Sequence, residues 1–239
     1  MTKVIVVGAR GRMGNLVCQT VEADDVLELT GRYDADDIEQ LDEAAPAADL
    51  VIDFSRPEAL PHVVAYVRRT GASLVCGTTG LSDEDLKGLQ SLGEVARVVW
   101  SSNYSLGVAV LRRLAAEAAK ALEGWDIEIV ETHHNQKADA PSGTAKALLA
   151  AVDPQGACEV VSGRDGIVGV RPAREIGMHA VRGGTVAGTH EVHLFGTDEE
   201  VCLTHRAASR QIFVSGAVAC AKRLVEADKG FHTFDDLMF

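Results

Sequence analysis

The sequence predicts an α/β protein: a Rossmann-like, doubly wound parallel sheet plus a second α+β domain with a mixed sheet. Through residues 1–104, short apolar runs rich in β-branched residues alternate with turns and helical stretches, which is typical of a parallel sheet. From residue 126 onward, alternating strands replace that pattern. We therefore expect one domain formed by residues 1–104 and 211–239, and a second formed by residues 105–210.

The first strand and the loop after it predict a nucleotide site. Residues 3–7 form a β-branched run that suits a buried parallel strand. Gly8, Gly11 and Gly14 follow with G-x-x-G-x-x-G spacing, and residues 15–22 read as a helix. A strand, a glycine loop and a helix are the context of a dinucleotide fingerprint, because glycines let backbone N–H groups approach a pyrophosphate. For this less common spacing, a glycine-rich turn without a ligand is the alternative.

The second strand, residues 26–30, leads to two residues that bear on cofactor choice. Asp34 lies about 20 positions beyond the glycine loop, where an acidic residue hydrogen-bonds the adenosine ribose. Arg32 can pair with the 2′-phosphate of NADP, or it can be an ordinary surface arginine. Because the two side chains favour different cofactors, the sequence predicts the use of both NADH and NADPH.

Later strands, at residues 49–54, 73–76 and 95–100, extend the predicted cofactor site. In a doubly wound sheet, ligands lie beyond the carboxyl ends of the strands. The turn at residues 77–80 can offer backbone groups to a nicotinamide carboxamide, or it can be a plain turn. The predicted cofactor-binding residues are Gly8, Arg10, Gly11, Arg12, Met13, Gly14, Arg32, Asp34, Phe54, Ser55, Gly77, Thr78, Thr79, Asn103 and Tyr104.

The second domain begins with a helix at residues 106–122 and is otherwise rich in strands. Its predicted strands are residues 126–131, 160–162, 176–181, 188–195 and 200–206. Residues 215–226 return to a helical pattern, which can pack on the first domain.

Residues 131–145, ETHHNQKADAPSGTA, carry the densest chemistry in the chain. His133, His134 and Lys137 can donate protons or neutralise negative charge. Pro141 presets helical φ, and unpaired N–H groups at the start of the following helix can bind a carboxylate or phosphate. A solvated polar loop with an ordinary cap is the alternative, but a turn does not require adjacent histidines and a lysine. The loop therefore predicts acid catalysis combined with anion capture.

Composition excludes several classes of protein. A formal net charge of −12 disfavours non-specific binding to nucleic acids or anionic membranes. No apolar stretch reaches the length of a membrane span, and no signal sequence precedes the first strand. Five scattered cysteines without C-x-x-C spacing predict free thiols in a reducing cytoplasm and no metal site.

Together these features resemble the dihydrodipicolinate reductase family, also called 4-hydroxy-tetrahydrodipicolinate reductase. The resemblance implies a Rossmann-like cofactor domain, a mixed-sheet domain for substrate binding and oligomerisation, a homotetramer built through those sheets, and NADH or NADPH as the reductant. It covers essentially the whole chain, although the segment between residues 151 and 177 is short for the family. The matching residues are 8–14, 53–55, 77–80, 103–105, 131–145 and 208–210.

The resemblance also implies a reaction and residue roles. The substrate is a cyclic imine dicarboxylate, 4-hydroxy-tetrahydrodipicolinate, which loses water and is reduced to tetrahydrodipicolinate in diaminopimelate and lysine biosynthesis. By resemblance, His133 is the general acid, Lys137 assists it and binds a carboxylate, and the nicotinamide lies near Gly77, Thr79 and Asn103. The implied substrate-binding residues are His134, Ser142, Gly143, Thr144 and Arg210.

Two other functions share some of these features. Another small nicotinamide enzyme acting on amino acids, such as an aspartate dehydrogenase, has the first domain but does not need adjacent histidines beside an anion-binding helix. A non-catalytic dinucleotide-sensing module needs a surface for a nucleic acid or protein partner, which the acidic composition does not indicate.

Overall fold

The computed structural model describes residues 1–239 and contains two compact units. One unit comprises Met1–Ser105 and Gln211–Phe239, and the other comprises Leu106–Arg210. The predicted domain limits differ from these by one residue, at Ser105. The predicted fold class is confirmed, because one unit contains a parallel sheet and the other a mixed sheet.

The first unit is built on a six-stranded sheet. Its strands are β1 (Thr2–Val7), β2 (Leu27–Tyr33), β3 (Leu50–Asp53), β4 (Ser73–Cys76), β5 (Arg97–Trp100) and β11 (Gly230–His232). All neighbours pair in parallel, in the order β11-β5-β4-β3-β1-β2. The order reverses between β1 and β3, and this is the switch point beside which ligands bind in open α/β sheets.

Helices accompany this sheet: α1 (Arg12–Glu22), α2 (Glu39–Glu43), α3 (Leu60–Thr70), α4 (Asp83–Leu92), α7 (Gln211–Leu224) and α8 (Phe234–Met238). The interior residues of β1, β3 and β4 are almost completely buried, which explains their continuous apolar sequences. Ser82 begins α4 with a capping box, in which Ser82 Oγ accepts from the backbone N–H of Asp85 and Asp85 accepts in return from the backbone of Ser82.

The second unit contains α5 (Leu106–Ala121), β6 (Asp126–His133), α6 (Gly143–Val152), β7 (Glu159–Val161), β8 (Glu175–Arg182), β9 (Thr189–Phe195) and β10 (Glu200–Arg206). The strands form a sheet in the order β10-β9-β6-β8-β7, in which β6 is parallel to β8 and antiparallel to β9. The core includes Ile129, Met178 and Val192 from the sheet and Leu148 from α6. Alternation along β6 therefore places Glu131 and His133 on the same face as Ile129.

The structure differs from the sequence prediction mainly at ends and in short elements. Strand β2 continues to Tyr33, with a register shift against β1 between Val4 and Ile5. The strand passes through Gly31, where a Cβ would lie 3.0 Å from the Ile5 side chain, so glycine allows the close approach. Helix α7 starts at Gln211, four residues before the predicted start. The short elements α2, β11 and α8 were not predicted. None of the helices is both long and apolar enough to cross a membrane.

Candidate functional site

The glycine loop between β1 and α1 forms a tight turn with an open helix start. Gly8 has a φ of +74°, and a Cβ there would lie 2.6 Å from the carbonyl oxygen of Phe54, so the position requires glycine. Helix α1 begins at Arg12 with Gly11 as its N-cap, and no side chain caps it. The first N–H groups of this helix can therefore bind an anion, which fits the pyrophosphate of a dinucleotide.

A buried carboxylate, Asp53, joins the turns that follow β3 and β4. It is fully buried, and it accepts hydrogen bonds from the Ser55 backbone N at 2.9 Å, from Ser55 Oγ at 2.5 Å and from Thr78 Oγ1 at 2.9 Å. Burial raises the pKa of Asp53, and the bonds from Ser55 and Thr78 partly oppose this. Ser55 and Thr78 were both predicted to contact the cofactor. In the structure their side chains donate to Asp53 and so hold the turns that follow β3 and β4.

Aromatic packing holds the same edge of the sheet. A Cβ on Gly77 would collide with the ring of Phe54. The Phe54 ring meets that of Tyr104 edge-on, at a centroid distance of 5.8 Å. Tyr104 is buried, and its hydroxyl donates to the carbonyl of Cys76 at 2.8 Å, while Asn103 Oδ1 accepts from the backbone N of Ser105 at 2.8 Å. The structure therefore brings Phe54, Gly77, Thr78, Asn103 and Tyr104 together, with Tyr104 in a packing position; Thr79 is exposed.

The end of β2 is hydrogen-bonded to the glycine loop. The carbonyl of Tyr33 accepts from the backbone N of Gly8 at 2.9 Å and of Ala9 at 3.1 Å. Asp34 accepts from the backbone N of Arg10 at 2.8 Å and of Ala35 at 2.9 Å. The predicted ribose-binding carboxylate is therefore held beside the predicted phosphate loop.

The predicted cationic residues of this region have different environments. The guanidinium of Arg10 forms ion pairs with Asp36 and, at 2.6 Å, with Asp37. Arg32 forms an ion pair with Glu22 on α1. Arg12 is exposed without an acidic partner, and Met13 beside it is half-buried.

In the second unit, His133 lies at the end of β6 in a network of buried charges. Its Nδ1 is 2.5 Å from Oε2 of Glu131, which is fully buried. Arg182, the register partner of His133 on β8, donates to both carboxylate oxygens of Glu131, at 2.7 and 2.8 Å. Burial alone would raise the pKa of Glu131, but hydrogen bonds from Arg182, His133 and Ser142 outweigh it and hold this pKa below its usual value. Glu131 is therefore an anion that orients the His133 ring.

The start of α6 is joined to this network. Ser142 is buried; its backbone N donates to Glu131 Oε1 at 2.9 Å, and its Oγ accepts from the backbone N of Ala145 at 3.2 Å. The same Oγ lies 3.1 Å from Nε2 of His190, whose ring meets that of His133 edge-on. Burial, followed by the nearby His133, lowers the pKa of His190 to about 4, so His190 is neutral near pH 7. Ser142 thus acts as the N-cap, and its predicted contact with the substrate stays a prediction.

The remaining predicted residues of this unit lie in loops and at the start of α6. Lys137 Nζ is 2.8 Å from Asp139 Oδ1, and the carbonyl of Asp139 accepts from Arg182. His134 is half-buried, and its backbone N donates to the carbonyl of Val186 at 2.8 Å. Gly143 and Thr144 form the first turn of α6. Arg210, four residues beyond β10, is exposed and has no acidic partner.

Comparisons with known proteins identify the family of this chain. The family model for the N-terminus of dihydrodipicolinate reductase matches residues 2–104, and the model for its C-terminus matches residues 107–238. The chain belongs to the dihydrodipicolinate reductase family. A relative from Methanopyrus kandleri, named 4-hydroxy-tetrahydrodipicolinate reductase, is 43% identical and the match covers 100% of this chain and 97% of that protein. One of the same name from Caldanaerobacter subterraneus is 40% identical, with 100% and 98% covered.

Solved structures show the same relationship. The dipicolinate-bound dihydrodipicolinate reductase of Paenisporosarcina sp. TG-14 matches with a TM-score of 0.79 at 25% identity, over 100% of both chains. A probable dehydrogenase from Thermotoga maritima, with a TM-score of 0.60 and 10% identity over 98% of this chain and 92% of that one, shares the fold alone. The family resemblance predicted from the sequence is therefore confirmed.

Sequence reasoning did not identify several residues that shape this candidate site. Glu131 had a visible signal, because it is a charged residue at a core-facing position of an alternating strand, two residues before His133. Arg182 and His190 gave no local signal, because they lie 51 and 59 positions beyond Glu131 in the sequence. Asp53 belonged to a matching segment, but its bonds to both turns became evident only in the structure.

The sequence predicted no metal site, and one cluster bears on this. His193, Glu200 and Cys202 on β9 and β10 have potential ligand atoms within 4.8 Å of one another. His193 Nδ1 lies 2.5 Å from Glu200 Oε1. Two such ligands of a tetrahedral zinc ion, each about 2 Å from the metal, lie about 3.3 Å apart. The contact is therefore a hydrogen bond, and we assign no metal to this cluster.

Proposed function

We propose that this chain reduces 4-hydroxy-tetrahydrodipicolinate to tetrahydrodipicolinate with a reduced nicotinamide dinucleotide, the step of diaminopimelate and lysine biosynthesis that its relatives' names describe. The observation that carries this proposal is the His133 ring held by buried Glu131, beside Lys137 and the start of α6. The cations of this site can bind the carboxylates of the substrate, and His133 can supply the proton that the product requires.

The proton source in this proposal is Nε2 of His133. Glu131 binds Nδ1, so the other ring nitrogen remains for the substrate. A Cβ on Gly188 would lie 3.0 Å from Nε2, so the absence of a side chain there leaves space beside this nitrogen. The anionic Glu131 stabilises positive charge on the ring, and Arg182 keeps that carboxylate fixed. His133 can therefore hold a proton and donate it in the course of the reduction.

The two substrate carboxylates require positive charge in an acidic protein. Lys137 and Arg210 supply cations, and the first turn of α6 supplies a positive helix end. Arg210 suits two-point binding of one carboxylate, and Lys137 with Gly143 and Thr144 suits the other. His134 lies next to the general acid and adds a further donor.

The first unit fits a dinucleotide. The glycine loop and uncapped α1 suit its pyrophosphate, Asp34 suits the adenosine ribose, and the turns held by Asp53 suit the nicotinamide end. Bound there, NADH or NADPH supplies the hydride. This chain's own part is to hold the dinucleotide and shape the turns around it.

A direct assay tests the function. Oxidation of NADH and NADPH is followed with freshly generated 4-hydroxy-tetrahydrodipicolinate, and in parallel with oxaloacetate plus ammonium. Turnover with the cyclic imine alone supports the proposal. Turnover with oxaloacetate and ammonium would indicate an aspartate dehydrogenase, and dinucleotide binding without turnover of either would indicate a sensing module.

We also propose a cytoplasmic homotetramer formed through the exposed face of the mixed sheet. The sheet leaves Val181 and Phe195 exposed at 47% and 40%, and all five cysteines are free, as in a reducing compartment. Light scattering coupled to size-exclusion chromatography measures the assembly. A charge introduced by Phe195→Glu should weaken it, whereas a monomeric wild-type chain would contradict the assignment.

A further inference from the structure

The charged residues around the end of β2 affect the choice between NADH and NADPH. This inference rests on the proposed function, in which the first unit binds a dinucleotide. Two arginines near this position, Arg10 and Arg32, could neutralise a 2′-phosphate. Both are ion-paired: Arg10 with Asp36 and Asp37, and Arg32 with Glu22.

The ribose-binding carboxylate is itself fixed. Asp34 accepts from the backbone N of Arg10 at 2.8 Å and of Ala35 at 2.9 Å, and its own backbone N donates to Asp37 Oδ1 at 2.6 Å. An ionised carboxylate has about four acceptor positions, so two remain for ribose hydroxyls. The free 2′-hydroxyl of NADH can donate to them, whereas the 2′-phosphate of NADPH brings negative charge to the same place.

The exposed ion pairs are individually weak, and their strength does not decide the choice. The choice between the two dinucleotides depends instead on the net charge of the side chains around the 2′ position. If Arg10 turned toward a phosphate, Asp36 and Asp37 would stay on the same short segment as Asp34, and Glu22 would stay beside Arg32. The carboxylates of Glu22, Asp34, Asp36 and Asp37 outnumber the guanidinium groups of the region even when the exposed Arg12 is counted with Arg10 and Arg32. The region therefore carries an excess of negative charge that repels a 2′-phosphate.

We propose that this chain selects NADH over NADPH, and that Glu22, Asp36 and Asp37 are the residues that determine this specificity, through the negative charge that they add around Asp34. Strong specificity generally needs a repulsive element against the excluded ligand, and these carboxylates supply it. The sequence alone predicted use of both cofactors, because Arg32 was weighed there without its partner Glu22.

The test measures binding of each dinucleotide to the full-length protein by calorimetry, without substrate. We expect NADH to bind about tenfold more tightly than NADPH at low salt, and the ratio to fall as salt screens the exposed charges. The double variant Asp36→Asn with Asp37→Asn, and separately Glu22→Gln, should tighten NADPH binding severalfold and leave NADH binding nearly unchanged. Glu28→Gln, at the far end of β2, removes the same charge away from the ribose and should change neither.

A second pair of probes isolates the 2′ position. Adenosine 2′,5′-bisphosphate and 5′-AMP differ only in that phosphate, so the wild type should prefer 5′-AMP and the double variant should reduce the preference. Equal or tighter NADPH binding by the wild type overturns the inference, as do parallel changes for both dinucleotides in the variants. These outcomes leave the proposed reaction intact, since that is judged by turnover of the cyclic imine.

Discussion

Glu131 Oε2 lies 2.5 Å from Nδ1 of His133, and the two residues occupy the same face of β6, two positions apart. Arg182 fixes the carboxylate from the neighbouring strand, and the backbone N of Ser142 fixes it from the start of α6. One buried anion therefore links the candidate proton donor to the helix end that is proposed to bind the substrate. This arrangement makes the position of His133 depend on residues that do not contact the substrate.

Replacement of Glu131 by Gln should impair catalysis through His133. The ring loses the anionic partner that orients it through Nδ1, so we expect kcat to fall about 10- to 100-fold, by analogy with partners that orient catalytic or metal-binding histidines. Steady-state kinetics, with calorimetry for NADH, checks this loss of kcat at unchanged cofactor affinity.

Controls separate orientation from stability in that experiment. Glu131→Asp retains the charge, although it shortens the side chain, and should retain more kcat than the Gln variant. Glu191→Gln on β9 removes a half-buried carboxylate outside the network and should leave kcat unchanged. A Glu131→Gln protein with wild-type kcat would show that His133 does not depend on this carboxylate.

Replacement of His133 by Gln or Ala should remove the proton source. We expect kcat to fall by roughly 100-fold or more, the usual contribution of a positioned general acid. NADH affinity should stay nearly constant, because the predicted nucleotide contacts all lie in the first unit. Calorimetry verifies binding in the same preparations. Full activity in either variant would refute the general-acid role.

Replacement of Lys137 or Arg210 by Ala should weaken substrate binding. Each change leaves a substrate carboxylate poorly paired, a loss of about 2–5 kcal/mol where the pair is buried in the complex. The KM for the cyclic imine should rise strongly, while the Kd for NADH stays the same. Lys146→Ala, an exposed lysine on α6, is the matched control. If KM were unchanged in both variants, the carboxylates would have to bind elsewhere.

Much of the fold could be predicted because its signals are local. The buried strands β1, β3 and β4 are continuous apolar runs, and β10 shows a strand pattern with the bounds that the structure has, Glu200–Arg206. Helix α2 and strand β11, of five and three residues, are too short to produce a periodic pattern. Their conformation depends on packing in the first unit.

The sequence predicted which residues belong to the candidate site better than it predicted the contacts between them. His133 and Lys137 lie in one short segment, so local sequence placed them together. The ion pairs of Arg32 with Glu22 and of Glu131 with Arg182 join positions on different elements. Such contacts follow from strand order and helix placement, which no local spacing encodes. The ion pair of Arg32 with Glu22 is also the basis of our proposal on the choice between NADH and NADPH.

The depressed pKa of His190 predicts a loss of stability in mild acid. Its pKa is about 4 in the folded protein and about 6.5 in an unfolded chain, so the unfolded state binds the proton more readily. The stability that His190 contributes is present above pH 6.5 and is lost as the pH falls from there toward 4, a change of about 3 kcal/mol. The carboxylate Glu128, with a pKa lowered to about 2, acts only below pH 4.5. His190→Gln should flatten the dependence of Tm on pH between 6.5 and 4.5, measured by calorimetry. Wild-type and His190→Gln proteins with parallel Tm profiles would show that this histidine is not held neutral by burial.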